Sequence, residues 1–100
     1  MKNYLDNINK VFENRIRLAI MSLLMVMDEI DFNSLKERLE LTDGNLASHA
    51  TKLEDCGYIT IKKQFVGKKT QTTYTATDEG RSAFKEHLDA LERIIRGGRL

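Results

Sequence analysis

Through the first quarter of the chain, apolar residues recur every three or four positions, which is the spacing of a helix that buries one face. The pattern predicts a short amphipathic helix at residues 4–12 and a longer helix at residues 15–27, with Asn14 as the N-cap of the second. This second helix is apolar on nearly all sides. In a chain of this size, other helices or a second subunit must therefore cover it.

Two more helices are predicted in the middle of the chain, with a tight turn between them. A very short strand around residues 30–32 precedes them, because apolar residues alternate with acids there. Asn33 or Ser34 is the expected cap of the first helix, and Thr42 is the expected cap of the second. Gly57 should end the second helix, since glycine is common just past a helix terminus.

A β-hairpin is predicted next, because the apolar period changes to two and β-branched residues dominate. Its strands cover residues 58–65 and 70–76, and the turn between them covers residues 66–69. Thr77 offers a cap for a long last helix that ends at residues 97–98. A two-stranded hairpin is marginal in water, so this one must pack on the helices.

Together these elements predict a fold that is mainly α with a small β-hairpin (α+β). Two helices joined by a tight turn and followed by a hairpin have the geometry of a winged helix-turn-helix, here with extra N- and C-terminal helices. One hundred residues suit a single domain, 1–100, with residues 12–80 as its core and residues 1–11 and 81–100 as the added helices. An apolar content of 41 % and a charged content of 31 % are typical of a globular chain.

One face of the helix predicted at residues 42–55 carries side chains suited to base recognition. Four hydrogen-bonding residues, none of them acidic, share that face at positions i, i+3, i+4 and i+7: Asn45, Ser48, His49 and Lys52. In the major groove of DNA, which is wide enough for an α-helix, Asn pairs well with adenine and Lys with guanine. The alternative is an ordinary solvated face, which any amphipathic helix has.

The predicted hairpin is locally basic, although the chain as a whole has a net charge of only +1. Four lysines and no acidic residue occur within its central stretch: Lys62, Lys63, Lys68 and Lys69. Small hydroxyl residues such as Thr70 lie beside them, and both kinds of side chain make phosphate contacts. The alternative is that the lysines protect an exposed strand edge from aggregation.

Little in the composition suggests catalysis, a metal or a cofactor. Cys56 is the only cysteine, so no internal disulfide can form, which suits a reducing cytosol. His49 and His87 lie on different helices without metal-ligand spacing, and His87 is interpreted as an edge residue of the last helix. The N-terminus has no signal-peptide pattern, and the longest apolar run is too short to span a bilayer. We therefore expect a cytoplasmic protein that is not an enzyme and has no cofactor, metal or membrane partner.

Three segments carry a resemblance to known families. They are the helix at residues 42–55 with its exit Leu53-Glu54-Asp55-Cys56-Gly57-Tyr58-Ile59, the stretch Tyr74-Thr75-Ala76-Thr77-Asp78-Glu79-Gly80-Arg81, and the opening Asn14-Arg15-Ile16-Arg17-Leu18-Ala19-Ile20. Over roughly residues 12–90, the chain resembles short winged helix-turn-helix transcriptional regulators of the MarR and ArsR families. It lacks the paired cysteines or His-Asp clusters of metal-sensing relatives, and it is shorter than most drug-responsive ones.

The resemblance implies a homodimer that binds a pseudo-palindromic site in double-stranded DNA. It implies that the helix at residues 42–55 enters the major groove and that the wing, residues 62–72, contacts the flanking backbone or minor groove. It adds Asp43 and Gly44 to the expected DNA contacts. It also implies that subunits pair through the terminal helices, for which the candidate residues are Leu5, Ile8, Phe12, Leu88, Leu91 and Ile95. An unidentified small-molecule effector is a further partner to consider.

The nearly neutral net charge favours a different function, that of a winged-helix module that binds proteins in a transcription-related assembly. The surface over residues 45–52 and the wing discriminates between the two hypotheses. A continuous positive strip there supports DNA binding, whereas an acidic or apolar surface supports a protein partner.

Overall fold

The computed structural model describes residues 5–97. In chain order the elements are a 3-10 helix at Lys10–Phe12, α1 at Arg15–Val26, β1 at Ile30–Asp31, α2 at Phe32–Leu39, α3 at Asp43–Asp55, β2 at Ile59–Val66, β3 at Lys69–Ala76 and α4 at Asp78–Gly97. This is the predicted fold class, four α-helices with a small antiparallel sheet. Among the described residues, none of the helices has the length and apolar character that crossing a bilayer requires.

Three helix starts lie where the sequence predicts them, because a polar side chain accepts the first free amides. Asn14 Oδ1 accepts hydrogen bonds from the amides of Ile16 and Arg17 at 3.0 and 3.1 Å. Thr42 Oγ1 accepts from the third amide of α3 at 3.1 Å, and Thr77 Oγ1 does the same for α4 at 2.9 Å. Such caps satisfy backbone donors that have no partner inside the helix.

The start of α2 differs from the prediction. Asp31, and not Asn33 or Ser34, is the N-cap, and its carboxylate accepts from the amide of Ser34 at 3.1 Å and from its hydroxyl at 2.7 Å. These hydrogen bonds favour the charged form and lower the pKa of Asp31. The helix begins early because Asp31 also ends β1, so the strand passes directly into the helix.

The sheet has three antiparallel strands in the order β1-β3-β2. Strands β2 and β3 form the predicted hairpin, but their pairing continues to Val66 and Lys69, so the turn is only Gly67-Lys68. Gly67 has a φ of 66°, which suits glycine in a tight hairpin turn. Strand β1 pairs with β3 at two positions only, opposite Thr73 and Tyr74.

The predicted helix at residues 4–12 is wrong over the part that the structure describes. Residues 5–7 form a turn and Lys10–Phe12 a 3-10 helix, while Tyr4 lies outside the described residues, as does Gly98 at the far end. Asn9 explains the difference. Its side chain caps the 3-10 helix and donates to the Tyr58 hydroxyl at 2.9 Å, and its amide donates to His87 Nδ1 at 3.0 Å. Because Asn9 bonds to these two distant residues, its backbone does not take part in a continuous α-helix.

Phe12 and His87 belong to the core of the single chain. The Phe12 ring stacks on Tyr58 at 5.3 Å between centroids and meets Phe84 edge-on at 5.0 Å. Only 2 % of Phe12 and 3 % of His87 are exposed. The interpretation of His87 as an edge residue is therefore wrong, because it shares the inner face of α4 with Phe84 and the N-terminal segment covers it.

Candidate nucleic-acid interface

Helix α3 buries one face and turns the other to solvent. Leu46, Ala50 and Leu53 are fully buried, and they anchor the helix in the core beneath it. The opposite side presents Asn45, Ser48 and Lys52, which are all exposed. Three of the four residues predicted to share the recognition face thus lie free on one surface of α3.

The N-terminus of α3 is tied to the preceding helix. Lys36 Nζ of α2 donates to Asp43 Oδ1 at 2.7 Å, across the turn between the helices. That turn includes Glu40, which has a φ of 53° and so takes a left-handed conformation unusual for a residue with a side chain. The ion pair places a cation beside the one carboxylate among the predicted DNA contacts, which reduces its repulsion of phosphates.

His49 does not stand free beside its neighbours on α3. It is half-buried, and Arg17 of α1 bridges it to the N-terminal segment. Arg17 Nη1 lies 3.0 Å from His49 Nδ1, and Arg17 Nε donates to the Val11 carbonyl at 2.7 Å. Sequence reasoning missed Arg17, since its only signal is a second arginine, after Arg15, at the start of a mostly apolar helix.

Gly44 leaves the backbone in the first turn of α3 without a covering side chain at this position. It is exposed, and a Cβ built there would meet no other atom within 4 Å. A neighbouring molecule can therefore approach the α3 backbone closely at this point.

The wing carries its lysines on both faces and at its tip. Lys63 lines a cleft of about 530 Å³ between the hairpin and α3, whereas Lys62, next to it in β2, lies on the opposite face of the strand. Lys68 is in the turn, and Lys69 and Thr70 begin β3; all are exposed. No acidic residue occurs in the sequence from residue 56 to residue 77, so the whole hairpin is neutral or cationic.

Two apolar side chains near the tip of the wing were not predicted to be functional. Phe65 is 77 % exposed and Val66 is 55 % exposed. Strand alternation alone would place Phe65 with Ile61 on the buried face, but the hairpin extends beyond the core that covers Ile61.

Helix α4 presents a second surface. Leu88, Leu91 and Ile95 are 44 %, 39 % and 60 % exposed, at the spacing of one helical face. Of the other residues expected at a subunit interface, Leu5 is exposed and Ile8 half-buried. Phe12 is enclosed within the chain's own core, so almost none of its surface is available to a second chain.

The potential metal ligands of the described residues are scattered over the fold. Across residues 5–97, no group of three or more His, Cys, Asp or Glu side chains lies close enough to hold an ion. Cys56 is a half-buried thiol at the C-cap of α3.

Comparison with known proteins identifies the same fold. A transcriptional regulator homologue from Pyrococcus horikoshii OT3 is 32 % identical, with a TM-score of 0.83 over 92 % of this chain and 91 % of that one. AbfR, solved in its reduced form bound to DNA, is 20 % identical with a TM-score of 0.71, over 90 % of this chain and 62 % of that one. An uncharacterized protein of Methanocaldococcus jannaschii is 42 % identical over 79 residues, which are 79 % of this chain and 86 % of that protein.

The family comparison agrees with the fold. The model of the winged helix DNA-binding domain family matches residues 16–95, from the start of α1 almost to the end of α4. The winged helix-turn-helix resemblance seen in the sequence is thereby confirmed. This chain belongs to the family of winged helix DNA-binding domains.

Proposed function

We propose that this chain is a transcriptional regulator that binds a specific site in double-stranded DNA as a homodimer. Helix α3 enters the major groove, and the wing contacts the flanking backbone or minor groove. One observation carries the proposal: the exposed, non-acidic face of α3 is followed at once by a hairpin without a single acidic residue. The similar Pyrococcus horikoshii protein is described as a transcriptional regulator homologue, and AbfR was solved on DNA.

Base recognition is assigned to the outer face of α3. Asn45 and Ser48 lie in the N-terminal half of the helix, which in helix-turn-helix proteins points at the base edges. Lys52, one turn further on, suits guanine or a phosphate. Gly44 and the paired carboxylate of Asp43 let the helix N-terminus come close to the backbone of the duplex.

Phosphate contacts are assigned to the wing and the start of β3. Lys68 and Lys69 stand at the tip, and Lys63 faces the side where α3 lies. Lysines at these places fix the register of a protein on DNA without reading its sequence. The local positive charge of the wing explains how a chain with a net charge of +1 can still bind a polyanion.

Dimerisation is assigned to α4 and the N-terminal segment. The exposed face at Leu88, Leu91 and Ile95 would lose water contact on pairing with a second copy, which is the main favourable term in association. A two-fold dimer matches a pseudo-palindromic site whose half-sites lie about 34–36 Å apart. The small-molecule effector considered above stays a prediction.

Selection of duplexes from a random pool, combined with the mass of the complex, tests the proposal. We expect an enriched pseudo-palindrome and two chains per duplex. Leu91→Asp should give monomers that lose the full site, whereas Ser82→Asp, which adds the same carboxylate to an exposed position of α4, should remain dimeric. A pool without enrichment would refute sequence-specific binding and favour the protein-interaction module.

A further inference from the structure

Phe65 is a large apolar side chain that the chain leaves in solvent near the end of its wing. It precedes the Gly67-Lys68 turn by two residues, and its cross-strand neighbour Thr70 is also exposed. Among the described residues, the packed core on β2 ends with Ile61. Removing Phe65 from water therefore requires another molecule.

The ring lies on the sheet face that is directed towards α3. Side chains alternate along a strand, so Phe65 shares its face with Ile61 and Lys63, which line the cleft between the hairpin and α3. Val66 has the opposite orientation and borders a groove beside β3. The aromatic side chain thus extends the surface that faces the same side as the recognition helix.

Charge around the ring favours a polyanionic partner over an apolar protein surface. Lys63, Lys68 and Lys69 lie within four residues of Phe65, and no acid occurs anywhere in the hairpin. A second copy of the chain would bring the same lysines and repel them. DNA combines phosphates that attract lysine with apolar base faces that can receive a ring once a step opens.

We propose that Phe65 is an apolar wedge that enters the minor groove beside the α3 site, partly unstacks one base step and bends the duplex. The inference rests on the proposed function and deepens it. Minor-groove proteins use apolar side chains in this way, and pyrimidine–purine steps open most easily. The wing then contributes to specificity through the deformability of a step that α3 never touches.

Fluorescence of 2-aminopurine tests the wedge directly. The probe is the duplex enriched from the random pool, with 2-aminopurine placed in turn at each position flanking the α3 site and with dyes at the two ends. The wild-type chain should raise the 2-aminopurine signal at one step in each half-site and shorten the distance between the dyes. Phe65→Ala should abolish both changes, and Phe65→Leu should keep part of them, since leucine also serves as a wedge.

Val66→Ala is the matched control, because Val66 is an adjacent, exposed apolar residue on the other face of the strand. The Val66→Ala chain should bend and unstack the duplex as the wild type does. Circular dichroism checks that each variant is folded. Binding of the wild type without unstacking, or unchanged signals in Phe65→Ala, would overturn the wedge alone. A Phe65→Ala chain whose mass without DNA falls would also overturn it, since Phe65 would then be a subunit contact. A wild-type chain that binds no duplex overturns the proposed function as well.

Discussion

Arg17 Nη1 and His49 Nδ1 are 3.0 Å apart, and this contact determines where the histidine carries its proton. A guanidinium group only donates hydrogen bonds, so a neutral His49 ring accepts this one at Nδ1. The hydrogen of neutral His49 then lies on Nε2. Since His49 is on α3 beside the exposed recognition face, α1 selects which hydrogen-bonding group this position offers to a ligand.

Replacing Arg17 should release the histidine. We expect nitrogen NMR of the wild type to show the Nε2–H tautomer at His49, and Arg17→Ala to show a mixture of both tautomers. The base opposite His49 should then be selected less strongly. Arg15→Ala, an exposed arginine on the same helix, should change neither result. An even tautomer mixture in the wild type would contradict this prediction.

Asn45→Ala should relax base preference more than it weakens binding to random DNA. The side chain is exposed, and the cap bond to Thr42 uses only the Asn45 backbone amide, so the fold is retained. A bidentate contact to a base is worth about 1–3 kcal/mol of discrimination. Affinities for the selected and a scrambled duplex, measured side by side, give this difference. Equal losses on both duplexes would mean that Asn45 contacts only the backbone.

Lys68→Ala should reduce the salt dependence of DNA binding. Each phosphate contact releases about one counterion, so the slope of log K against log salt should shrink by about one. Lys85→Ala removes the same charge from an exposed position on α4 and should leave the slope unchanged. Titrations at several salt concentrations measure both slopes. Equal slopes in the wild type and Lys68→Ala would remove Lys68 from the interface.

Two glycines should respond in opposite directions to alanine. A Cβ on the buried Gly80 would lie 2.0 Å from the Tyr58 carbonyl oxygen, so α4 must shift, at a cost of about 1–3 kcal/mol or more. Gly44→Ala meets open space inside a helix and should raise the free energy of unfolding by about 0.5–1 kcal/mol. Urea unfolding measures both. Weaker DNA binding by the more stable Gly44→Ala would locate a close backbone approach there.

Acid should destabilise the chain through His87. Burial lowers the pKa of His87, and the nearby charge of Glu13 opposes this only in part. The unfolded chain takes up a proton near the ordinary value of 6.5, and the folded chain does so only at lower pH. The free energy of unfolding should therefore fall as the pH drops below 6.5 and level off once the folded pKa is passed.

The bond from the Asn9 amide to His87 Nδ1 acts in the same direction as burial, because Nδ1 cannot accept a hydrogen bond once the ring is protonated. Urea midpoints between about pH 5 and pH 8 measure the trend. His87→Gln should remove this part of the pH dependence. A wild-type midpoint that stays constant over that range would contradict the prediction.

Local signals predicted most of the fold. Asn14, Thr42 and Thr77 each precede a periodic apolar run. Each side chain accepts a hydrogen bond from a backbone amide no more than three residues further on, so the short-range sequence is enough to predict these helix starts. Asp31 was missed because it belongs both to β1 and to the cap of α2. The N-terminal segment was mispredicted because Asn9 is held by partners 49 and 78 positions away, which no short-range pattern encodes.

In the candidate site, too, local spacing predicted some features, whereas contacts between distant parts of the chain decide the others. Helical spacing alone predicted the outward face of α3, because Leu46 and Leu53 determine which side is buried. It could not show that Arg17 reaches His49, since that contact joins two helices 32 positions apart. The alternation of side chains along β2 could not show that Phe65 is exposed either. Its exposure depends on how far the hairpin extends beyond the helices that cover Ile61.

Strand β1 holds the hairpin to the rest of the sheet through only two pairs, Ile30 with Tyr74 and Asp31 with Thr73. Beyond those pairs the two long strands have only each other as ladder partners, as far as the Gly67-Lys68 turn. Beyond Thr73 the wing is therefore a two-stranded arm without a third strand beside it, and we expect it to tilt more readily than the part of the sheet that packs on the helices. If the wing contacts DNA as proposed, such an arm would adapt to grooves of different width while the buried residues Leu46, Ala50 and Leu53 hold α3 in place.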